Sequence, residues 1–248
     1  MIFLFIVLFI FINRVLLNEN YQHIFDVGYF YHVFCKNLEL TLFTKTFDNL
    51  IDKDIKVLDF GCGPGIMSQF FTNYTGIDID KTRIDYAKKM YGQKTFILIN
   101  ENEKTLPFDD HSFEAILFND CLHHINNYHI SNILSELHRV LKKDGIIIIR
   151  EPKKDTNFFT YFITELCENG DHVRTRNEYK EIFKSFDIKY ENTNNEIIRD
   201  YYILIVQNKF PQTILYDNKS KKIKIDRIVM NTFTVCLFVI SVYITLFT

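Results

Sequence analysis

Between an apolar run and the next periodic stretch, the chain reads Val57-Leu58-Asp59-Phe60-Gly61-Cys62-Gly63-Pro64-Gly65, with glycines at every second position. The run 56–60 has the length and apolar content of a buried strand, and the stretch 67–73 predicts a helix after it. A sharp strand-to-helix turn demands unusual φ/ψ and close approach of the main chain to a ligand, and glycine meets both demands. A chain with such a turn is constrained to a fold that holds a nucleotide-like ligand at the carboxyl end of a strand.

The rest of the middle region repeats the alternation. Strands are predicted at 75–79, 95–99, 115–119 and 146–150, with two more at 187–191 and 201–207. Helices are predicted at 81–91 and at 130–142, the second with Ile133, Leu134, Leu137, Val140 and Leu141 on one face. These are the βαβ units of a doubly wound α/β sheet with helices on both faces. A chain of 248 residues, 47% of them hydrophobic, fits one such domain with short extensions: 1–20, a hydrophobic segment; 21–208, the catalytic domain; 209–248, a basic linker and apolar tail. The net charge of -2 shows no basic excess, so a nucleic-acid partner is not expected. The five cysteines are scattered, with no Cys-x-x-Cys pair, and read as reduced thiols in a cytosolic domain.

The ends differ from the middle. Residues 1–12 are almost wholly apolar, yet twelve residues of helix cover about 18 Å against the roughly 30 Å of a hydrocarbon core. Residues 229–248 carry no charge and have the length of one membrane-spanning helix, although their Val, Ile, Thr and Phe would also suit strands. Lys219, Lys221, Lys222, Lys224 and Arg227 precede this tail and Arg14 follows the first segment, which places both flanks, and the domain between them, on the cytosolic side of a membrane. The aromatic stretch Tyr21, His23, Phe25, Tyr29, Phe30, Tyr31, His32 and Phe34 fits a lid over the site or a helix core.

The charge beside the glycines selects the ligand. A dinucleotide fingerprint reads Gly-x-Gly-x-x-Gly, whereas here the third glycine comes one residue early and position 66 is Ile. Asp59 would repel a pyrophosphate and attract the cationic amino-acid end of S-adenosylmethionine. Asp78, closing Gly76-Ile77-Asp78, stands where a carboxylate accepts bonds from ribose hydroxyls; the competing role for Asp78 and Asp80 is helix capping.

Residues from about 55 to 208 resemble the class I S-adenosylmethionine-dependent methyltransferases, particularly the branch acting on small molecules and lipids. Leu106-Pro107-Phe108-Asp109-Asp110-His111-Ser112-Phe113-Glu114 and Leu137-His138-Arg139-Val140-Leu141-Lys142-Lys143-Asp144-Gly145 are similar to two further segments of that branch, departing from it at Glu114 and at Lys143-Asp144. The resemblance implies a Rossmann-like sheet of seven strands, mostly parallel with one antiparallel, and S-adenosyl-L-methionine as cofactor. It implies a cofactor set of Asp59, Gly61, Gly63, Gly65, Asp78, Ile79, Asn102, Glu103 and Asn119, with Asn102 and Glu103 at the adenine.

Asn119-Asp120-Cys121-Leu122-His123-His124 follows the fourth strand at the carboxyl edge, where ligands bind in this fold class. His123 or His124 is the candidate general base, though such a pair often only packs. No metal site is expected, since no third ligand sits at zinc spacing. Glu151 and the stretch Gly170-Asp171-His172-Val173-Arg174-Thr175 are candidates to border the pocket, and Arg174 and Arg176 are candidates to meet an anionic acceptor; a capping box at Thr175 and Glu178 competes for the second stretch. The expected activity is methyl transfer to a small, hydrophobic or membrane-associated acceptor. The alternatives are a catalytically silent, membrane-anchored binding subunit, or an enzyme in solution acting on a polar metabolite.

Overall fold

Strand β1 (Lys56–Phe60) carries the glycine loop in the middle of the sheet, and Val57 and Leu58, on opposite faces, are both inaccessible to solvent. Burial on both faces is what a central parallel strand requires. The computed structural model describes residues 36–101, 105–156, 172–195 and 200–208. Within them the elements run α1 (Lys36–Phe47), β1, β2 (Asn73–Asp78), α2 (Lys81–Met90), β3 (Thr95–Leu98), β4 (Phe113–Asn119), α3 (Asn127–Val140), β5 (Leu141–Pro152), α4 (Arg176–Ile182), β6 (Phe186–Asn195) and β7 (Asp200–Asn208). The seven strands form one sheet in the order β3-β2-β1-β4-β5-β7-β6. Strands β1 to β5 pair in parallel, and β7 alone runs antiparallel to its neighbours. This is the expected doubly wound α/β sheet of seven strands with one antiparallel. The carboxyl ends of β1, β2, β4 and β5 share one edge, which therefore collects the loops that follow each strand.

Each face of the sheet has its own apolar cluster. On one, Val57, Ala115, Leu117 and Ile148 meet Phe43 and Phe47 of α1 and Phe70 and Phe71 of the segment after the glycine loop. The rings of Phe43 and Phe70 stand edge to face at 5.0 Å. On the other, Leu58, Ile116, Phe118, Ile147 and Ile149 meet Leu137 and Val140 of α3 and Tyr179 and Phe183 of α4.

Three elements depart from expectation. The helix expected at 67–73 is only a 3-10 turn, Ile66–Gln69. Thr72 N already donates to Lys53 O, and Asn73 already pairs with Lys56, so the chain enters the sheet before a helix can propagate. Helix α3 begins at Asn127, three residues early, because the Asn126 side chain accepts from Tyr128 N at 3.0 Å. Helix α1 has no counterpart among the expected elements, although Leu40, Phe43 and Phe47 fall on one helical face and pack into the first cluster. The expected Thr175–Glu178 capping box is present at the start of α4.

The apolar segments 1–12 and 229–248, the aromatic stretch 21–34 and the basic residues 219–227 lie outside the described residues. Among the described residues no helix is long and apolar enough to cross a membrane.

Candidate active site

All three loop glycines adopt positive φ, 72° at Gly61, 52° at Gly63 and 80° at Gly65. Only glycine takes that region without penalty. Their surroundings differ. A Cβ on Gly61 would stand 2.2 Å from Cys121 Sγ, and one on Gly65 would stand 2.6 Å from the Phe96 ring, whereas one on Gly63 would meet nothing within 4 Å. Two glycines thus make room for protein, and the third fronts open space at the sheet edge. The loop hangs from β2: Gly61 N and Cys62 N both donate to Ile77 O at 2.9 Å, and Gly63 N donates to Asp78 Oδ2 at 2.8 Å.

Asp78 is nearly buried, and its other oxygen accepts from Asp80 N at 2.8 Å. Its carboxylate therefore shapes the glycine loop, and each oxygen retains a further lone pair for a ligand hydroxyl. Ile79, next along, is 57% exposed and offers an apolar surface at the same edge. The capping role falls to Asp80, whose side chain accepts from Thr82 N and Arg83 N at the start of α2. Asp59 is buried beneath the loop, and Tyr74 donates its phenol to Asp59 Oδ2 at 2.5 Å. Burial, then the Asp59 charge, pushes the Tyr74 phenol well up, so it stays a neutral donor. The Cys121 thiol is likewise pushed well up by burial and then by Glu151, Asp78, Asp59 and Asp120. All four carboxylates lie near this thiol, and Asp120 among them is paired with Arg150.

Beyond β4, Asn119 and Asp120 are tied to β5 and β7. Arg150, 1% exposed, donates through Nη1 to Asn119 Oδ1 and Asp120 Oδ2, each at 3.1 Å, and its guanidinium lies 3.6 Å from the Tyr201 ring centroid. Tyr201 Oη also donates to Asp120 Oδ2 at 3.1 Å, and Asp120 holds a left-handed φ of 53°. A non-glycine residue in that region is uncommon and needs surroundings that enforce it.

Of the expected site residues, Asp59, Gly61, Gly63, Gly65, Asp78, Ile79 and Asn119 gather at the carboxyl ends of β1, β2 and β4. Asn102 and Glu103 lie outside the described residues. His124 is exposed, whereas His123 is inaccessible to solvent and its Nδ1 lies 2.7 Å from Glu151 Oε2. Glu151, expected at the pocket border, is itself fully buried. Arg174, expected to meet an anionic acceptor, is 4% exposed and committed to protein: Nη1 donates to Leu122 O at 2.6 Å, and Nη2 to Ile125 O at 2.5 Å and Asn127 Oδ1 at 2.7 Å. Arg176 pairs with Asp155.

The two segments 106–114 and 137–145 meet in space. Arg139 donates to Leu106 O at 3.0 Å, Phe108 O at 2.8 Å and Asp110 Oδ1 at 2.8 Å, while Glu136 Oε2 accepts from Leu106 N at 2.9 Å. Glu114, a departure from the resembled pattern, accepts from Lys56 N at 2.8 Å and so tethers the start of β1.

A family model described as a methyltransferase domain matches residues 58–149, from β1 into β5, taking in the glycine loop, Asp78 and the turn after β4. Over that stretch the chain is similar to a methyltransferase domain. An uncharacterized protein of Methanocaldococcus jannaschii is 38% identical over 104 residues, 40% of this chain and 39% of the relative. The ubiquinone biosynthesis O-methyltransferase of Pelagibacter ubique is 30% identical over 117 residues, 45% of this chain and 48% of that enzyme. The chain thus spans about half the length, or less, of these curated relatives. A solved S-adenosylmethionine-dependent methyltransferase of Methanosarcina mazei shares the methyltransferase fold with a TM-score of 0.55 at 21% identity, over 66% of this chain and 96% of that one.

Proposed function

We propose that the chain transfers the methyl group of S-adenosylmethionine to a small hydrophobic acceptor. One observation carries the cofactor reading: Gly63 sits in left-handed backbone with nothing within 4 Å of the place its Cβ would take, beside the carboxylate of Asp78. A main chain stripped of side chain at that point admits a ligand, and the carboxylates Asp59 and Asp78 beside the loop favour a cationic one. Bound S-adenosylmethionine supplies a sulfonium methyl for direct displacement, which needs alignment more than covalent help. Gly61, Gly63 and Gly65 shape the cradle, Asp59 and Asp78 supply the negative field, and Asn119 lines the methionine end.

The name of the Pelagibacter ubique relative ties its methyl transfer to ubiquinone biosynthesis, which supports a hydrophobic acceptor for this chain. The uncharged tail 229–248, with its basic flank, supports action at a membrane surface. Calorimetry with S-adenosylmethionine tests the cofactor: binding is expected in the native chain and lost in Gly63→Arg and Asp78→Ala, and a native chain that binds nothing refutes the reading. Incubation with labelled cofactor and a whole-cell extract, followed by separation into lipid and aqueous fractions for mass spectrometry, tests the acceptor. Label found only in water-soluble metabolites refutes the hydrophobic part. Carbonate extraction tests the membrane part, which fails if the protein is released to the supernatant.

A further inference from the structure

Glu151 belongs to neither cofactor loop, yet its fully buried carboxylate holds one short turn by four bonds. Oε1 accepts from Cys121 N and Leu122 N, both at 2.8 Å. Oε2 accepts from His123 N at 3.3 Å and lies 2.7 Å from His123 Nδ1. A buried carboxylate is costly unless its lone pairs are filled, and charge-assisted bonds of this kind fix the groups that fill them. Three consecutive backbone N–H groups converging on one side chain leave the turn 121–123 little freedom. That turn is the wall of the glycine loop, because Cys121 Sγ fills the space beside Gly61 where a Cβ would stand. Arg174 braces the same turn from its carbonyl side, through Leu122 O and Ile125 O.

We propose that Glu151 is a positioning residue for the cofactor: by holding the turn 121–123 it seats Cys121 against Gly61 and keeps the glycine loop in its binding conformation. The inference rests on the site being an S-adenosylmethionine site, and it gives His123 the role of a strut. With Glu151 accepting at Oε2, His123 carries its proton on Nδ1, an assignment made from the hydrogen-bond network.

The test is S-adenosylhomocysteine binding by calorimetry on the full chain. Absence of binding by the native chain sinks the methyl-transfer reading itself; native binding isolates the role of Glu151. Glu151→Gln places an amide NH2 against the two donors of His123, so the affinity is expected to fall about tenfold or more, through groups left unsatisfied in the turn. The His123 proton moves to Nε2 in that variant, seen as an exchange of the pyrrole-like and pyridine-like ring 15N signals. Tyr179→Phe removes a different buried bond at the end of the same strand, from the phenol to Pro152 O at 3.0 Å, and is expected to leave the affinity unchanged. Should Glu151→Gln lack a cooperative unfolding transition, His123→Phe removes the imidazole bond to Glu151 Oε2 while keeping a planar ring, and its affinity is expected to fall about threefold or more. Native affinity in Glu151→Gln, or in His123→Phe where that variant replaces it, overturns the role, and so does an equal loss in Tyr179→Phe.

Discussion

Alanine at Gly63 and at Gly65 should separate ligand binding from stability within one loop. Both positions have left-handed backbone, φ 52° and 80°, a conformation that costs an L-residue roughly 1–2 kcal/mol. At Gly63 that is the whole cost, since the new methyl enters open space. At Gly65 the methyl would also stand 2.6 Å from the Phe96 ring and 3.0 Å from Ala87 Cβ, both in the packed core, and overpacking of this kind adds about 1–3 kcal/mol. The expected losses are therefore about 1–2 kcal/mol for Gly63→Ala and about 2–5 kcal/mol for Gly65→Ala. For a domain of this size, each kcal/mol lowers Tm by about 2–4 °C, which gives about 2–8 °C against about 4–20 °C. Binding should rank the other way: Gly63→Ala puts a methyl where the ligand lies, and its affinity for S-adenosylhomocysteine should fall about tenfold, while folded Gly65→Ala stays closer to native. Thermal unfolding followed by circular dichroism, with calorimetry on the same samples, reads both quantities. Equal Tm losses, or native affinity in Gly63→Ala, would refute the assignment of Gly63 to the ligand and Gly65 to the core.

Arg139→Ala should cost about 2–4 kcal/mol in urea unfolding, because it strips the Leu106 and Phe108 carbonyls of a charged donor. Arg139→Lys should recover little of this, since an ammonium cannot span the same acceptors. The Arg139 hydrogen bond, against the opposing effect of burial, holds the Glu136 carboxyl below its usual range. A lowered carboxylate contributes stability that is present above its unfolded-state pKa and lost as pH falls through the folded one, so the penalty of Arg139→Ala should shrink in acid. A penalty that is constant with pH, measured by urea titration, would count against the pair. Thr175→Ala should cost about 1 kcal/mol by removing the capping box at α4, and a urea midpoint unmoved from native would show the cap to be idle.

The parts of the fold legible in the sequence were those that depend on neighbours in the chain. Strand β1 could be read to the residue because an apolar run ends at a glycine, and the α4 cap because Thr175 and Glu178 are three apart. The failures lay where distant partners decide. The apolar residues Met67, Phe70 and Phe71 fit a helical period, but Lys53 and Lys56 draw Thr72 and Asn73 into strand pairing. The sequence around Arg174 does not name its partners, which are carbonyls some fifty positions upstream, at Leu122 and Ile125. Glu151 likewise faces a turn near residue 122 through an alignment of β4 and β5 that no local pattern encodes. The likeness of segments 106–114 and 137–145 to one family had a physical signal in it, since Arg139 joins them.

The order β5-β7-β6 at the end of the sheet has a consequence for synthesis on the ribosome. Strand β6 emerges first but pairs only with β7, the last described strand, which slots between it and β5. Until residue 208 clears the exit tunnel, β6 has no strand to join, and the Ile146–Ile149 stretch of β5 presents an unpaired apolar edge. Such an edge is a template for pairing with other chains. A nascent chain stalled before Asp200 would therefore be the species most in need of a chaperone, and a stop codon there should yield aggregate rather than a smaller domain.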